Sequence, residues 1–128
     1  MNTDHIAVKL LILTPGQTFP EHRHPAIAEY AGKEETIRGL WGDLRLYVPG
    51  EPTKDPIGIV PGFGAQYYTA RHELALVPGE QHTIAPNTWH WFQAGAAGAV
   101  AWSFSSRATD IQDEFMDPSA VRETVITD

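Results

Sequence analysis

The chain contains no cysteine, which excludes disulfide bonds and thiolate metal ligands. Any metal site must therefore be built from histidine and carboxylate side chains. No apolar run approaches the ~20 residues that a membrane-spanning helix needs, and the N-terminus lacks a basic segment followed by an apolar core. These absences predict a cytoplasmic protein without a membrane partner.

Basic residues are also scarce. Nine Lys and Arg stand against 16 Asp and Glu, which gives a formal net charge of -7. Nucleic acids and anionic membranes attract proteins with a basic face, so this charge argues against a nucleic-acid partner. The length of 128 residues and the hydrophobic share of 42% are sufficient for one core. We therefore predict a single domain spanning residues 1–128.

Turn signals divide the chain into short apolar runs. Proline presets the first central residue of a turn and glycine accepts the positive φ of the second. Regular alternation of such turns with short apolar runs is typical of antiparallel all-β proteins, and it predicts a β-barrel or jelly roll here. The Pro-Gly pairs stand at residues 15–16, 49–50, 61–62 and 78–79.

The same pattern predicts individual strands and connections. Residues 5–13 predict a strand buried on both faces. Two further pairs of strands are expected, one joined by a tight turn at Gly42-Asp43 and the other by a loop over residues 95–98. Beyond residue 107 the pattern breaks up, and we predict a tail over about residues 107–128 that packs on the surface, with one or two helical turns at residues 110–116.

Three histidines and a glutamate form a candidate metal site. His22 and His24 are two residues apart, so in an extended strand both imidazoles project to the same side. Glu35 follows 11 residues after His24, and His90 begins a later aromatic, strand-like run. Three imidazoles and one carboxylate suffice to hold a divalent transition metal with positions left open for a substrate.

The spacing of these residues resembles the two conserved motifs of the cupin superfamily. Gly16, His22 and His24 match the opening of the first motif, while Glu35 and Gly42 match its close after a longer insert than usual. Pro86 and His90 resemble the second motif, with the proline one place later than in the commonest pattern. A cupin is a small β-barrel that holds its metal in the interior, and this fold is the one we expect.

Glu29 and Lys33 complete the set of candidate site residues. Glu29 competes with Glu35 as the carboxylate ligand because its sequence spacing from His24 is the usual one for the first cupin motif. If Glu29 were the ligand, however, Thr36 would stand where the motif has its closing glycine. Lys33 lies two residues before Glu35 and is expected to present its ammonium group on the same side. It either holds a substrate oxygen or is a solvated lysine.

Several longer stretches resemble the cupin-type D-lyxose isomerases: residues 19–25, 32–36, 46–51, 76–95 and 115–118. This resemblance implies that His22, His24, Glu35 and His90 are the metal ligands. It also implies that the metal is manganese. The donor set itself is compatible with Mn, Fe, Co, Ni or Zn, and cupins are most often dimers, so we also expect a homodimer.

The resemblance implies an activity as well. The family interconverts aldoses and ketoses through a cis-enediol, chiefly D-lyxose and D-xylulose, with D-mannose and D-fructose as related substrates. A divalent metal would stabilise the negative charge that develops on oxygen, and a separate acid/base must move the proton. Where the family commonly has a glutamate suited to this role, the chain has Ser103.

The departure at Ser103 leaves alternatives open. Lys33 or Glu29 would replace the missing acid/base if the chain is an isomerase. Alternatively, the protein is a metal-dependent sugar-binding cupin without turnover, or a small Fe(II) cupin oxygenase.

Overall fold

The structure, a computed structural model, describes residues 1–122. Its strands assemble into one seven-stranded antiparallel sheet with the order β4-β3-β6-β2-β7, in which β1 also pairs with β6 and β5 with β3. The strands are β1 (Ile6–Leu13), β2 (Thr18–Arg23), β3 (Glu35–Val48), β4 (His72–Leu76), β5 (Gln81–Ile84), β6 (His90–Ser106) and β7 (Glu114–Phe115). The predicted all-β cupin or jelly-roll fold is confirmed.

Two long strands organise this fold. The first half of β3 pairs with β5 and its second half with β4, while β6 pairs with β2 and then with β1. The two long strands also pair with each other from Glu35 opposite Ser105 to Tyr47 opposite Trp91. The first residues of these two strands, Glu35 and His90, are both buried.

The predicted strand breaks at Gly42-Asp43 and at residues 95–98 are wrong. Both sites lie inside continuous strands, and the β3–β6 register shifts between Gly39 and Trp41 and again between Gly42 and Leu44. Gly42 and Gly98 have φ of 73° and 91°, and a Cβ on Gly42 would lie 2.2 Å from the Gly98 carbonyl oxygen. These glycines therefore form a bulge, where the sequence signal is the same as for a turn.

The first predicted strand, residues 5–13, is observed as Ile6–Leu13, but only one of its faces is buried. Ala7 and Leu13 lie in the interior, whereas Leu10 and Ile12 are exposed. The main hydrophobic core contains mostly aliphatic side chains: Leu13, Ile37, Leu44, Leu46, Val48, Leu76, Ile84, Phe92, Ala94, Ala99 and Ala101.

Residues 107–122 follow the barrel without a regular α-helix. A single 3-10 turn spans Asp110–Gln112, and the two-residue strand β7 pairs with the end of β2. The prediction of a surface tail over about residues 107–128 can therefore be compared with the structure only as far as residue 122. Residues 123–128 lie outside the described part of the chain. Within residues 1–122 there is no helix long and apolar enough to span a membrane.

Candidate metal centre and cavity

The three predicted histidines meet inside the barrel. His22 lies on β2 directly opposite His90, the first residue of β6, and His24 follows the end of β2. One ring nitrogen from each histidine lies within 4.8 Å of those of the other two. All three side chains are buried, with exposed fractions of 3% or less. A group of three buried imidazoles of this kind is a potential metal site.

Each histidine is held through its Nδ1 atom. The Nδ1 atoms of His22 and His90 donate to the carbonyl oxygens of Pro20 and Thr88, at 2.9 and 2.8 Å. Because a carbonyl oxygen only accepts hydrogen bonds, the proton must be on Nδ1, and Nε2 carries the free lone pair. His90 Nε2 is buried and has no hydrogen-bond partner within residues 1–122. A metal ion would satisfy this atom.

His24 differs from the other two histidines because its partners are carboxylates. Its Nδ1 lies 2.6 Å from an oxygen of Asp113, and its Nε2 lies 3.0 Å from Glu35 Oε2. Two backbone contacts fix the surrounding chain: Asn87 N–H donates to the His24 carbonyl oxygen at 2.9 Å, and a Cβ on Gly32 would lie 2.5 Å from that same oxygen. The turn that precedes His90 is thus tied to His24.

Glu35 lies next to two of the three histidines. It is the first residue of β3 and is only 6% exposed. Its Oε2 lies 3.0 Å from His24 Nε2 and 4.0 Å from His90 Nε2. Atoms that bind one ion at about 2.1 Å lie roughly 3 to 4 Å apart, so the glutamate and these two imidazoles fit a common ion. The hydroxyl of Ser103 donates to the other oxygen of Glu35.

The electrostatics of the cluster favour a cation. Burial lowers the pKa of His90 to about 4, and burial together with the neighbouring imidazoles holds the pKa of His22 well below its usual value. Burial opposes the charge on Glu35, but the hydrogen bond from His24 and the ammonium group of Lys33 outweigh it and lower the pKa of Glu35. Two neutral imidazoles and an ionised carboxylate therefore face the same point.

The pKa of His24 is shifted in the opposite direction. Burial disfavours its charged form, but the hydrogen bonds to Asp113 and Glu35 outweigh burial and raise its pKa. The two carboxylates on His24 therefore favour positive charge at this end of the cluster.

A cavity of about 220 Å³ opens beside the cluster. Its apolar side is formed by β1, Phe19 and Phe92, and its polar side includes His22, His24 and Glu35. Three basic residues also line it: Lys9, Lys33 and Arg122. This volume and mixed lining suit a small polar ligand.

Lys33 lines this cavity on the same side as Glu35. It is 2% exposed, and its Nζ lies 3.4 Å from Glu35 Oε2 and 3.1 Å from Asp110 Oδ1. Lys9 and Arg122 also contact Asp110. A cation at this position can hold or protonate an oxygen of a ligand that reaches the cluster.

The structure does not bring Glu29 to the site. Its side chain is exposed on the turn between Ile27 and Tyr30, whose backbones form an isolated bridge. This turn is made by the long insert between His24 and Glu35. The insert places Glu29, the residue at the usual motif distance from His24, on the surface. Glu35 lies beside the histidines and Glu29 does not, so a catalytic role for Glu29 is not supported by its placement.

Sequence reasoning missed Asp110, Asp113 and the contribution of Ser103. The two aspartates lie in the segment predicted as surface helical turns, and they reach the site only through long-range contacts. The local sequence pattern gives no signal for such contacts.

Comparison with known proteins identifies the family of this chain. The sequence profile of the D-lyxose isomerase family matches residues 2–128. The chain belongs to the D-lyxose isomerase family. It is 49% identical over 122 residues to a D-lyxose ketol-isomerase of Thermofilum sp. (strain ex4484_79), covering 95% of this chain and 68% of the relative. It is 51% identical over 128 residues to a D-lyxose/D-mannose isomerase of Thermosediminibacter oceani, covering 100% of this chain and 71% of that protein.

Solved structures support the fold of this family member. L-ribose isomerase of Cellulomonas parahominis superposes with a TM-score of 0.72 at 16% sequence identity, covering 88% of this chain and 58% of the other. L-ribose isomerase of Acinetobacter sp. DL28 gives a TM-score of 0.73 at 15% identity, covering 90% and 60%. The chain thus spans about 60% of the length of the ribose isomerases that it matches. These structures show the fold, and membership of the D-lyxose isomerase family supports an aldose-ketose isomerase acting on a small sugar.

Proposed function

We propose that the protein is a metal-dependent isomerase that converts D-lyxose to D-xylulose, with D-mannose to D-fructose as a related reaction. The observation that carries this proposal is the convergence of His22, His24 and His90 with Glu35, all buried, at the end of a cavity sized for a small polar ligand. Relatives about 50% identical are named for these substrates.

The proposed metal ligands are His22, His24, Glu35 and His90, and the proposed ion is Mn²⁺. Imidazole and carboxylate donors suit Mn²⁺ but also Fe²⁺, Co²⁺, Ni²⁺ and Zn²⁺, so the choice of manganese rests on the resemblance to the family. When bound, the ion supplies a Lewis acid that stabilises negative charge on the substrate oxygens. The carbonyl oxygens of Pro20 and Thr88 keep two imidazoles in the tautomer that can bind it.

Lys33 is the proposed acid/base. Isomerisation removes a proton from C2 of the aldose, forms the cis-enediol and returns a proton to C1, while a hydroxyl proton moves from O2 to O1, so only protons move and the atoms balance. Lys33 Nζ is buried, lines the cavity and lies beside the proposed ligand Glu35. Asp110 holds it there at 3.1 Å. Proton transfer by a positioned side chain contributes about 10²- to 10⁴-fold to a rate.

Ser103 has a different proposed role from the glutamate that the family commonly has there. Its hydroxyl donates to Glu35 and so restrains the carboxylate on the side away from His24. We assign the proton transfer to Lys33 rather than to Ser103, because the Lys33 ammonium group can act as the acid and, once it has released that proton, its neutral amine can act as the base.

The proposal includes a cytoplasmic homodimer. The outer face of β1, β3 and β6 supports the dimer, because apolar side chains at paired positions lie exposed there. Ile12 and Trp41, both opposite Val100, are 70% and 55% exposed, and Leu10 lies opposite Trp102. A contiguous apolar face of this kind is typical of protein interfaces.

Product analysis tests the function. Metal-loaded protein incubated with D-lyxose should yield D-xylulose without consuming oxygen. Oxygen uptake would favour the cupin oxygenase, and sugar binding without product would favour the sugar-binding protein. Either result would overturn the isomerase proposal.

A further inference from the structure

The three histidines of the cluster are oriented in two different ways. His22 and His90 donate Nδ1–H to a carbonyl oxygen two residues earlier in their own segment. His24 lies just beyond β2, and the acceptor for its Nδ1 is Asp113, 89 residues later in the chain. The first two orientations are local properties of their segments, whereas that of His24 depends on the C-terminal segment.

Asp113 is built to serve as this acceptor. Its carboxylate is fully buried, and one oxygen lies 2.6 Å from His24 Nδ1. The other oxygen accepts a hydrogen bond from Arg122 Nη1 at 2.7 Å. A buried carboxylate needs such partners to remain charged, and both of its oxygens have one.

The backbone around Asp113 is held against the strand that carries His22. Phe115 pairs with His22, and Glu114 pairs with Arg23. Met116 N–H donates to the carbonyl oxygen of Glu21 at 2.9 Å. These contacts place Asp113 next to His24 independently of the hydrogen bond between their side chains.

We propose that Asp113 is a positioning residue for the metal centre, which fixes the ring of His24 so that Nε2 faces His22, His90 and Glu35. The inference rests on the proposed metal site. A carboxylate on Nδ1 keeps the proton there, leaves Nε2 as the ligand atom and increases its basicity. The C-terminal segment is therefore part of the metal centre rather than a covering of the barrel.

Metal titration of the metal-stripped full chain tests this role. Mn²⁺ affinity is measured by calorimetry for the wild type, Asp113→Ala, Asp113→Asn and the control Glu114→Gln. Glu114 is adjacent, exposed and paired with Arg23, so its variant removes one negative charge without touching a histidine. We expect Asp113→Ala to weaken Mn²⁺ binding by about 10- to 100-fold. Asp113→Asn should lie between it and the wild type, because an amide oxygen still accepts from Nδ1, and Glu114→Gln should match the wild type.

Thermal unfolding in chelator separates positioning from support of the fold. If Asp113 only stabilises the fold, Asp113→Ala will lower the metal-free Tm while the folded protein keeps wild-type affinity, and the inference is overturned. It is also overturned if Glu114→Gln loses as much affinity as Asp113→Asn. If Asp113→Ala does not fold, the comparison of Asp113→Asn with Glu114→Gln decides whether Asp113 positions His24. A wild type that binds no Mn²⁺ would overturn the proposed metal site as well.

Discussion

The two sides of the cavity hold their functional groups by different physical means. On one side, His22 and His90 are buried, neutral and fixed by backbone carbonyl oxygens. On the other side, Lys9, Lys33 and Arg122 surround Asp110 in a network of ion pairs. Short imidazole side chains on paired strands have little freedom, whereas long cationic side chains can exchange partners.

This difference suits two separate tasks. The proposed metal centre needs ligand atoms fixed before the ion arrives, and the paired strands β2 and β6 hold His22 and His90 opposite each other. A group that contacts a substrate and moves a proton must be able to change partners, which an ion pair at the cavity wall permits. We therefore expect variants of the histidine side to lose the metal, and variants of the lysine side to lose turnover while keeping the metal.

The largest expected effect is on metal binding. His90→Ala should abolish most Mn²⁺ binding, because it removes a ligand whose Nε2 is buried and otherwise unpartnered within residues 1–122. Metal content per chain after dialysis measures this loss. His5→Ala is the control, since His5 is exposed and lies outside the cluster. Wild-type stoichiometry in His90→Ala would show that the ion binds elsewhere.

The ion should also stabilise the fold only where the cluster is intact. A ligand present at 100 times its dissociation constant stabilises the folded state by about 2.7 kcal/mol. Mn²⁺ should therefore raise the Tm of the wild type and of His5→Ala by several degrees. In His90→Ala the same addition should leave the Tm unchanged, and an equal rise there would contradict the proposed ligand set.

Next in size is the effect of Lys33→Met on turnover. Loss of a positioned acid/base should lower kcat by about 10²- to 10⁴-fold, while Mn²⁺ affinity changes much less because Lys33 is not a proposed ligand. Steady-state kinetics with D-lyxose and a parallel metal titration check both statements. Lys54→Met, at an exposed loop position, should behave as the wild type. If Lys33→Met instead loses its metal with kcat intact, the division between the two sides is wrong.

Ser103→Ala should give a smaller effect. It removes the hydroxyl that donates to Glu35, and loss of such an outer partner of a metal ligand weakens binding by roughly 10-fold. Ser105→Ala is the matched control, because the Ser105 hydroxyl donates only to the neighbouring Ser106 carbonyl oxygen among the described residues. Equal Mn²⁺ affinities for the two variants would show that Ser103 does not support Glu35.

The smallest effect on the site is expected from the outer sheet face. Ile12→Lys places a charge on an exposed apolar position of β1 and should shift the protein from dimer to monomer, as measured by light scattering after gel filtration. Metal binding should be retained, because the Ile12 side chain is exposed and is not one of the proposed ligands. A wild type that is already monomeric would contradict the proposed dimer.

The sequence predicted that His22, His24 and Glu35 would lie together, and the structure places them together. His22 and His24 are two residues apart, so in an extended chain their side chains project to the same side. Glu35 is the first residue of a strand, and its side chain also points where the alternation of a β-strand places it. The glycines in β3 and β6 were misinterpreted because a bulge and a tight turn need the same residue type. Asp113 could not be predicted, since its contact with His24 depends on how the tail folds back against β2.

The most direct test of the central claim is the isomerisation of D-lyxose by the metal-stripped protein, measured with and without added Mn²⁺. The account predicts no D-xylulose without metal and restored turnover with it. Failure to convert either D-lyxose or D-mannose, by protein that binds Mn²⁺ through its histidines, would contradict the proposed isomerase function.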